Sequence, residues 1–173
     1  MKLTGRVWKL GDDVGATDLL PAAYDKSASR GEWDDCIPHV LEGLRPDFRE
    51  GCKPGDLIVG GRNLGAGHAH YHRGGVLGSK AAGIGALLGD SINGLFFRSA
   101  IDEGYPAWPI KGLADFVEDG DNIEVDLATG SVRNLTQCTN MDFKPCDKVI
   151  LDILAAGSTM NWSIQRYENG LAA

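Results

Sequence analysis

The chain has 173 residues, of which 43% are hydrophobic and 24% charged, and this composition is typical of a globular domain with a sizeable core. Its formal net charge is −7 and its isoelectric point is about 5.0, which argues against a nucleic-acid-binding protein because no basic surface is expected. No apolar run is long enough to cross a bilayer, and the first residues lack the apolar core of a signal peptide. We therefore expect one soluble, cytoplasmic domain over residues 1–173, with a helical tail from about residue 148.

The cysteines do not form a metal-binding or cluster-binding pattern. They are Cys36, Cys52, Cys138 and Cys146, and no two of them have the C-x-x-C spacing of zinc or iron–sulfur sites. We interpret all four as reduced thiols of an intracellular protein.

The first third of the chain contains one predicted strand and a long irregular region. Residues 5–10 alternate as a strand does, and residues 11–18 form an acidic, turn-rich segment that we interpret as solvated rather than metal-binding. Asp18 is either a helix cap or a residue that orients a neighbouring loop. Residues 25–54 are irregular, with a possible short helix at 37–43. Arg49 is a candidate for binding a substrate carboxylate, and a surface arginine is the alternative.

A strand, a glycine-rich loop and a helix follow one another at residues 57–82. Residues 57–59 predict a buried strand and residues 76–82 a helix. Between them lies the segment that we call the glycine loop, residues 60–73. This arrangement directs backbone N–H groups and a helix N-terminus at an anionic ligand. The loop holds three of the four histidines, which are His68, His70 and His72.

The second half of the chain predicts a partly parallel sheet with helices packed on it. Residues 84–88 predict a strand and residues 92–103 a helix capped by Gly104. Residues 105–110 contain two prolines and predict an edge strand. Residues 123–127 and 131–135 predict a hairpin, and an amphipathic helix follows from 148 to about Gly157. Together these elements indicate an α/β fold.

The chain contains a series of short segments whose sequence and order resemble those of the small subunit of 3-isopropylmalate dehydratase, the swivel domain of the aconitase superfamily. The matching segments are residues 5–9, 11–12, 17–21, 55–59, 63–67, 81–84, 97–101, 126–134 and 153–157. The resemblance implies a swivelling three-layer β/β/α domain. It also implies a hydro-lyase acting on a hydroxy di- or tricarboxylic acid, as in leucine biosynthesis. The partner would be a large subunit that carries the iron–sulfur cluster, in a heterodimer or heterotetramer, with no cofactor on this chain.

The catalytic part of the glycine loop departs from the family pattern. The family reads Ser-Ser-Arg-Glu-His where this chain reads His68-Ala69-His70-Tyr71-His72. The position of the family's base serine is therefore taken by His68, and that of its arginine by His70. An imidazole titrates near neutral pH and can remove a proton α to a carboxylate, so we predict His68 and His70 as catalytic residues. The predicted substrate-binding residues are Arg49, Gly65, Gly67, His68, His70 and His72.

Two other interpretations of the loop stay open. The chain is a non-catalytic swivel-domain binding module in one of them, and the three histidines bind a first-row metal in the other. His39, which lies outside the loop, is interpreted as structural, and Arg98 as a residue that supports the loop rather than one that binds substrate.

Overall fold

The computed structural model describes residues 1–67 and 73–170, and its framework is a seven-stranded mixed sheet. The strands are β1 (Lys2–Lys9), β2 (Leu57–Gly60), β3 (Ala86–Gly89), β4 (Ala107–Pro109), β5 (Asn122–Asp126), β6 (Ser131–Asn134) and β7 (Thr139–Asp142). Their spatial order is β4-β3-β2-β1-β5-β6-β7. The pairs β1–β2, β2–β3 and β3–β4 are parallel, and the pairs β1–β5, β5–β6 and β6–β7 are antiparallel.

Strand β1 belongs to both halves of the sheet. Its amino-terminal half, from Lys2 to Arg6, pairs with β5, whereas Val7 to Lys9 pair with β2. Near the point where the two halves meet, Gly5 lies against the backbone of Gly55 with no space for a Cβ atom. A glycine is required at this point because any side chain would separate β1 from the turn before β2.

Helices cover the sheet and connect the parallel strands. In the part of the chain that the structure describes they are α1 (Ala16–Leu19), α2 (Asp25–Arg30), α3 (Trp33–Cys36), α4 (Phe48–Gly51), α5 (Gly74–Ala81), α6 (Gly94–Asp102), α7 (Leu113–Phe116), α8 (Lys148–Ala156) and α9 (Thr159–Glu168). Short 3₁₀ turns occupy Ala22–Tyr24 and Ile37–His39. None of the described helices is long and apolar enough to span a membrane.

Two apolar clusters lie on opposite faces of the parallel strands. Trp8, Ile58 and Leu87 point to one face, where α1, α2 and α5 cover them. Their chain neighbours Val7 and Leu57 point to the other face, which the residues of β5, β6, α7 and α8 cover. Alternate side chains of a strand point to opposite faces, so strands buried on both sides read as continuous apolar runs. The antiparallel strands thus form a second β layer, and the prediction of an α/β, swivel-like domain is confirmed.

A buried carboxylate fixes the segment that enters the antiparallel strands. Asp121 is 5% exposed and accepts hydrogen bonds from the Asn134 amide at 2.7 Å, the Gln137 amide at 2.6 Å and the Glu118 backbone N–H at 2.9 Å. These bonds join the beginning of β5 to the turn after β6. Each donor would lose its protein partner if this carboxylate were removed.

Most predicted elements are present, and one prediction needs correction. The strands, the hairpin, the edge strand β4 and the helices α5, α6 and α8 are confirmed within a few residues, and Gly104 has the left-handed φ of a helix cap at 59°. Of the short helix predicted at 37–43, only Ile37–His39 is helical, as a 3₁₀ turn. Leu41 has a φ of 58°, and its N–H donates to the Leu19 carbonyl at 2.9 Å, so a long-range contact ends the turn. Strand β7 was not predicted, and the helical tail predicted from about residue 148 consists of two helices, α8 and α9.

Candidate active site

The described part of the glycine loop, residues 60–67, begins at the carboxyl end of β2 and is clamped to the segment after β1. The Gly61 N–H donates to the Gly11 carbonyl at 2.9 Å. The backbone N–H of Arg62 and its guanidinium both donate to the Asp12 carboxylate, at 2.7 Å and 2.6 Å. These donors hold the pKa of Asp12 below its usual range, the backbone N–H being the larger cause. Carboxyl ends of neighbouring parallel strands are where ligands bind in open α/β sheets.

Asn63 and Leu64 connect the same loop to the segment after β3. Asn63 adopts a φ of 58°, and its side chain donates to Asp13 at 2.8 Å. Its N–H donates to the Ser91 hydroxyl at 2.8 Å, and the Leu64 N–H donates to the Ser91 carbonyl at 3.0 Å. The loop is therefore held from both sides, by the ends of β1 and β3.

Gly65 has no space for a side chain because α6 packs directly on it. It is buried with a φ of 79°, and a Cβ atom there would lie 2.5 Å from the Cβ of Phe96. The N–H groups of Gly65 and Ala66 both donate to the Val14 carbonyl, at 2.8 Å and 3.1 Å. This is the close approach of backbone to packed helix for which glycine is suited.

Gly67 ends the described part of the loop in an open environment. It is exposed, its φ is 84°, and a Cβ atom there would meet no atom within 4 Å. The predicted catalytic residues His68 and His70 and the predicted ligand His72 follow it and lie outside the described residues.

Arg49 lies in a different part of the fold from the loop. It is exposed on α4, which precedes the amino end of β2, whereas the glycine loop leaves the carboxyl end. Within residues 1–67 and 73–170 it forms no hydrogen bond or ion pair. The structure therefore brings Gly65 and Gly67 together and places Arg49 apart from them.

The N-terminus of α5 is in contact with an acidic side chain that the sequence did not indicate. The backbone N–H of Gly74, the first residue of α5, donates to the Asp25 carboxylate at 3.1 Å. Gly74 and Gly75 let α5 pack closely on α2 and α1, since a Cβ at either position would meet Asp25 or the Ala16 carbonyl. The N-terminus of α5, which was predicted to face an anionic ligand, is thus already in contact with the Asp25 carboxylate. Asp25 is 49 positions from Gly74, so no local pattern reveals the contact.

A cavity of about 390 Å³ opens where the loop returns to regular structure. Arg73, Leu95, Arg98, Ser99 and Asp102 line it. The Arg73 guanidinium forms an ion pair with Glu103. Arg98 is exposed and has no such partner in the described ranges, so the prediction that it supports the loop finds no contact there.

Asp18 and His39 have clear local roles. Asp18 caps α1 by accepting from the Gly15 N–H at 2.7 Å, and Gly15 pairs with Ala66 of the loop. His39 stacks on Tyr24 with ring centroids 4.0 Å apart and contacts the Glu42 carboxylate at 2.6 Å. The cap thus supports the loop indirectly, and the contacts of His39 are structural.

The four thiols are free and lie on separate elements, and no group of three or more potential metal ligands occurs among residues 1–67 and 73–170. Cys36 is on α3, Cys52 follows α4, Cys138 is exposed between β6 and β7, and Cys146 precedes α8. Burial raises the pKa of the Cys146 thiol to about 11. This donor set does not fit an iron–sulfur cluster.

Comparisons with known proteins give consistent matches, although no family model matches the chain. It is 37% identical to the isopropylmalate/citramalate isomerase small subunit of Methanocaldococcus jannaschii, over 91% of both chains. It is 35% identical to the methanogen homoaconitase small subunit of Methanothermobacter thermautotrophicus, over 98% of this chain and 95% of the other. It is 33% identical to the 3-isopropylmalate dehydratase small subunit of Thermodesulfovibrio yellowstonii, over 96% of both. The crystal structure of 3-isopropylmalate dehydratase from M. jannaschii superposes with a TM-score of 0.87 and 28% identity, over 98% of each chain.

Proposed function

Because the chain belongs to the family of 3-isopropylmalate dehydratase small subunits, we propose that it is the small subunit of a hydro-lyase acting on a hydroxy di- or tricarboxylic acid. The observation that carries this proposal is the identity of 33–37% to dehydratase and isomerase small subunits over at least 91% of the chain. The alternative of a non-catalytic binding module is not favoured, because these relatives are named as subunits of enzymes. We also propose that residues 1–173 form a single domain, since both apolar clusters share strand β1.

The active enzyme is a heteromer in this proposal. A large subunit carries the iron–sulfur cluster, and the two chains form a heterodimer or heterotetramer. The small-subunit names of the relatives support a partner, and the scattered thiols of this chain support a cluster that is bound elsewhere.

The chemistry of this chain is proposed to lie at the point where the clamped loop ends. Residues 60–67 are fixed by hydrogen bonds to the ends of β1 and β3, and the chain leaves this frame at the open position Gly67. The next residue, His68, is the proposed general base, since an imidazole accepts a proton near neutral pH. His70 takes a substrate carboxylate in its protonated form, and Gly65, Gly67 and His72 complete the proposed binding residues of the loop. Arg49 lies near the other end of β2 and is not part of this proposed site.

The first experiment identifies the partner and the activity. The tagged chain is captured from its native cells under anaerobic conditions, and the eluate is examined by mass spectrometry and visible absorption. We expect a brown, cysteine-rich large subunit, and conversion of citramalate or 3-isopropylmalate to an unsaturated acid that absorbs in the ultraviolet. Recovery of a colourless chain without a partner, inactive on every hydroxy acid tried, would contradict the proposal.

The second experiment tests the histidines in the reconstituted pair. We expect His68→Ala to lower kcat by about 10²–10⁴-fold, which is the usual contribution of a general base. His70→Ala should raise KM more than it lowers kcat, because it removes a binding contact. His39→Ala removes an imidazole outside the loop and is the matched control, with activity close to wild type. Full activity of His68→Ala would remove this residue from the mechanism. Stoichiometric zinc, iron, copper or nickel on the isolated chain would instead support the metal-site alternative.

A further inference from the structure

We propose that Arg98 is a carboxylate-binding residue of the site, and that the cavity between Arg73 and α6 receives one carboxylate of a small organic acid. The choice of ligand rests on the proposed function. The cavity does not, nor does the observation that its Arg98 guanidinium has no partner among residues 1–67 and 73–170. The structure thereby assigns Arg98 a role different from the supporting one that the sequence indicated.

The cavity adjoins the glycine loop on two sides. Arg73, which lines it, is the first described residue after the histidines, and it directly precedes α5. Leu95 also lines it, and the next residue, Phe96, is the one that packs on Gly65. The same helix therefore fixes the loop with one face and lines the cavity with the adjacent face. Residues 95, 98, 99 and 102 follow the spacing of a single helix face.

Among the described residues of this region, Arg98 is a guanidinium that forms no ion pair with an acidic side chain. Arg62 is held by Asp12 at 2.6 Å, and Arg73 is paired with Glu103. Arg98 has no hydrogen bond or ion pair within the described ranges, although it extends from a rigid helix. A free guanidinium presents a planar fork of N–H donors that matches a carboxylate, so it suits bidentate binding of an acid.

A second unpaired polar group lies beside it. The Ser99 hydroxyl oxygen is inaccessible to solvent and has no hydrogen-bond partner in the part of the chain that is described. Buried hydroxyl groups without a partner are rare in native proteins, because losing hydrogen bonds to water without replacement is costly. Ser99 lines the same cavity as Arg98, so rotation of its side chain to another staggered rotamer would let the hydroxyl donate to an oxygen-rich ligand there.

One acidic residue in the cavity repels a negatively charged ligand, so its replacement tests whether the ligand is an anion. Asp102 lines the cavity, and its carboxylate accepts from the Thr159 hydroxyl at 2.9 Å. Its negative charge repels a carboxylate ligand, while an asparagine retains an oxygen for Thr159. Asp102→Asn is therefore expected to strengthen binding, and Arg98→Ala to weaken it.

The test is titration of the full-length chain with citramalate and with inorganic phosphate, followed by calorimetry and NMR at low ionic strength. We expect saturable binding of citramalate to the wild type, weakened about 10–100-fold in Arg98→Ala, because one charge-assisted bidentate contact is lost. Arg98→Lys should restore part of the affinity, since it keeps the charge without the fork. Asp102→Asn should bind a few-fold more tightly because a repelling charge is removed. Arg133→Ala removes a guanidinium from β6, outside the cavity, and should bind as the wild type does.

Several results would overturn the inference. These are unchanged affinity in Arg98→Ala, no saturable binding of citramalate to the wild type, or phosphate binding in its place. In the reconstituted pair, Arg98→Ala should raise KM with a smaller effect on kcat. An unchanged KM would reject the role of Arg98 and leave the proposed function intact. Absence of a partner, together with Arg98-dependent citramalate binding, would reject the enzyme assignment and leave the binding site.

Discussion

Replacing Gly65 by alanine tests whether α6 fixes the shape of the loop. The new Cβ would lie 2.5 Å from the Cβ of Phe96 and 2.6 Å from its Cδ1, and the residue would keep a φ of 79°. The left-handed conformation costs a non-glycine residue about 1–2 kcal/mol, and overpacking a tight contact adds about 1–3 kcal/mol. We therefore expect Gly65→Ala to lower the free energy of unfolding by about 2–5 kcal/mol.

Gly67→Ala is the matched control because it has the same backbone conformation without the contact. Its φ is 84°, and a Cβ atom there meets nothing within 4 Å, so only the conformational cost of about 1–2 kcal/mol applies. Urea unfolding followed by tryptophan fluorescence measures both variants, with m-values compared to confirm that the unfolding reaction is unchanged. Equal destabilisation by the two substitutions would refute the reasoning. So would an unchanged effect of Gly65→Ala in a Phe96→Ala background, where the contacts with the ring are absent and only the Cβ of residue 96 remains, so that the destabilisation by Gly65→Ala should be smaller.

Three further predictions concern groups away from the histidines. The pKa of Asp12 is lowered in the folded protein, so its stabilising contribution is present above its unfolded pKa of about 3.9 and is lost as pH falls through the lower folded value. The urea midpoint of the wild type should therefore exceed that of Asp12→Asn near neutral pH and converge with it in acid. Asp121→Ala removes the acceptor of three hydrogen bonds in a buried site and should destabilise the fold by about 2–4 kcal/mol in urea unfolding. Iodoacetamide at mildly alkaline pH should label the exposed Cys138 well before the buried Cys146, whose thiol has a pKa of about 11.

Each of these three predictions would be contradicted by a specific result. A constant difference between wild type and Asp12→Asn at all pH values would show that the carboxylate does not act through its charge. A wild-type urea midpoint in Asp121→Ala would show that water replaces the lost acceptor without cost. Labelling of Cys146 at the rate of Cys138, measured by mass spectrometry of the peptides, would show that burial does not protect this thiol.

The predictions from the sequence succeeded where a local pattern reports burial. The strands β2 and β3 are buried on both faces, so each was visible as a short apolar run, and the β5–β6 hairpin was visible from its alternation. Strand β7 was missed because its residues Thr139–Asp142 are mostly polar and exposed, and such a strand has no pattern that separates it from a loop. The helix expected at 37–43 is limited to the 3₁₀ turn Ile37–His39, because the contact of Leu41 with Leu19 decides the backbone that follows.

The sequence predicted the glycine loop of the candidate site, but not the residues that contact the loop and the adjoining helix from other parts of the chain. The glycines indicated a loop whose backbone packs closely against other atoms. The contact of Phe96 with Gly65 explains why a glycine is needed there. The contact of Asp25 with Gly74 and the cavity at Arg98 depend on how α2, α5 and α6 pack. Such contacts join residues far apart in the chain, and only the tertiary structure brings them together.

The division of β1 between two partners has a consequence for the order of synthesis. Because synthesis runs from the amino to the carboxyl end, the first half of this strand is made before its partner, β5, which is complete only when Asp126 has been added. During that interval the second half of β1 can pair with β2, while the first half presents an open edge. This unpaired edge carries polar or charged side chains at Lys2, Thr4 and Arg6. Charge on an unpaired edge discourages the addition of a strand from another chain. The first half of β1 is thus fully paired later than the second half, although it is made before it.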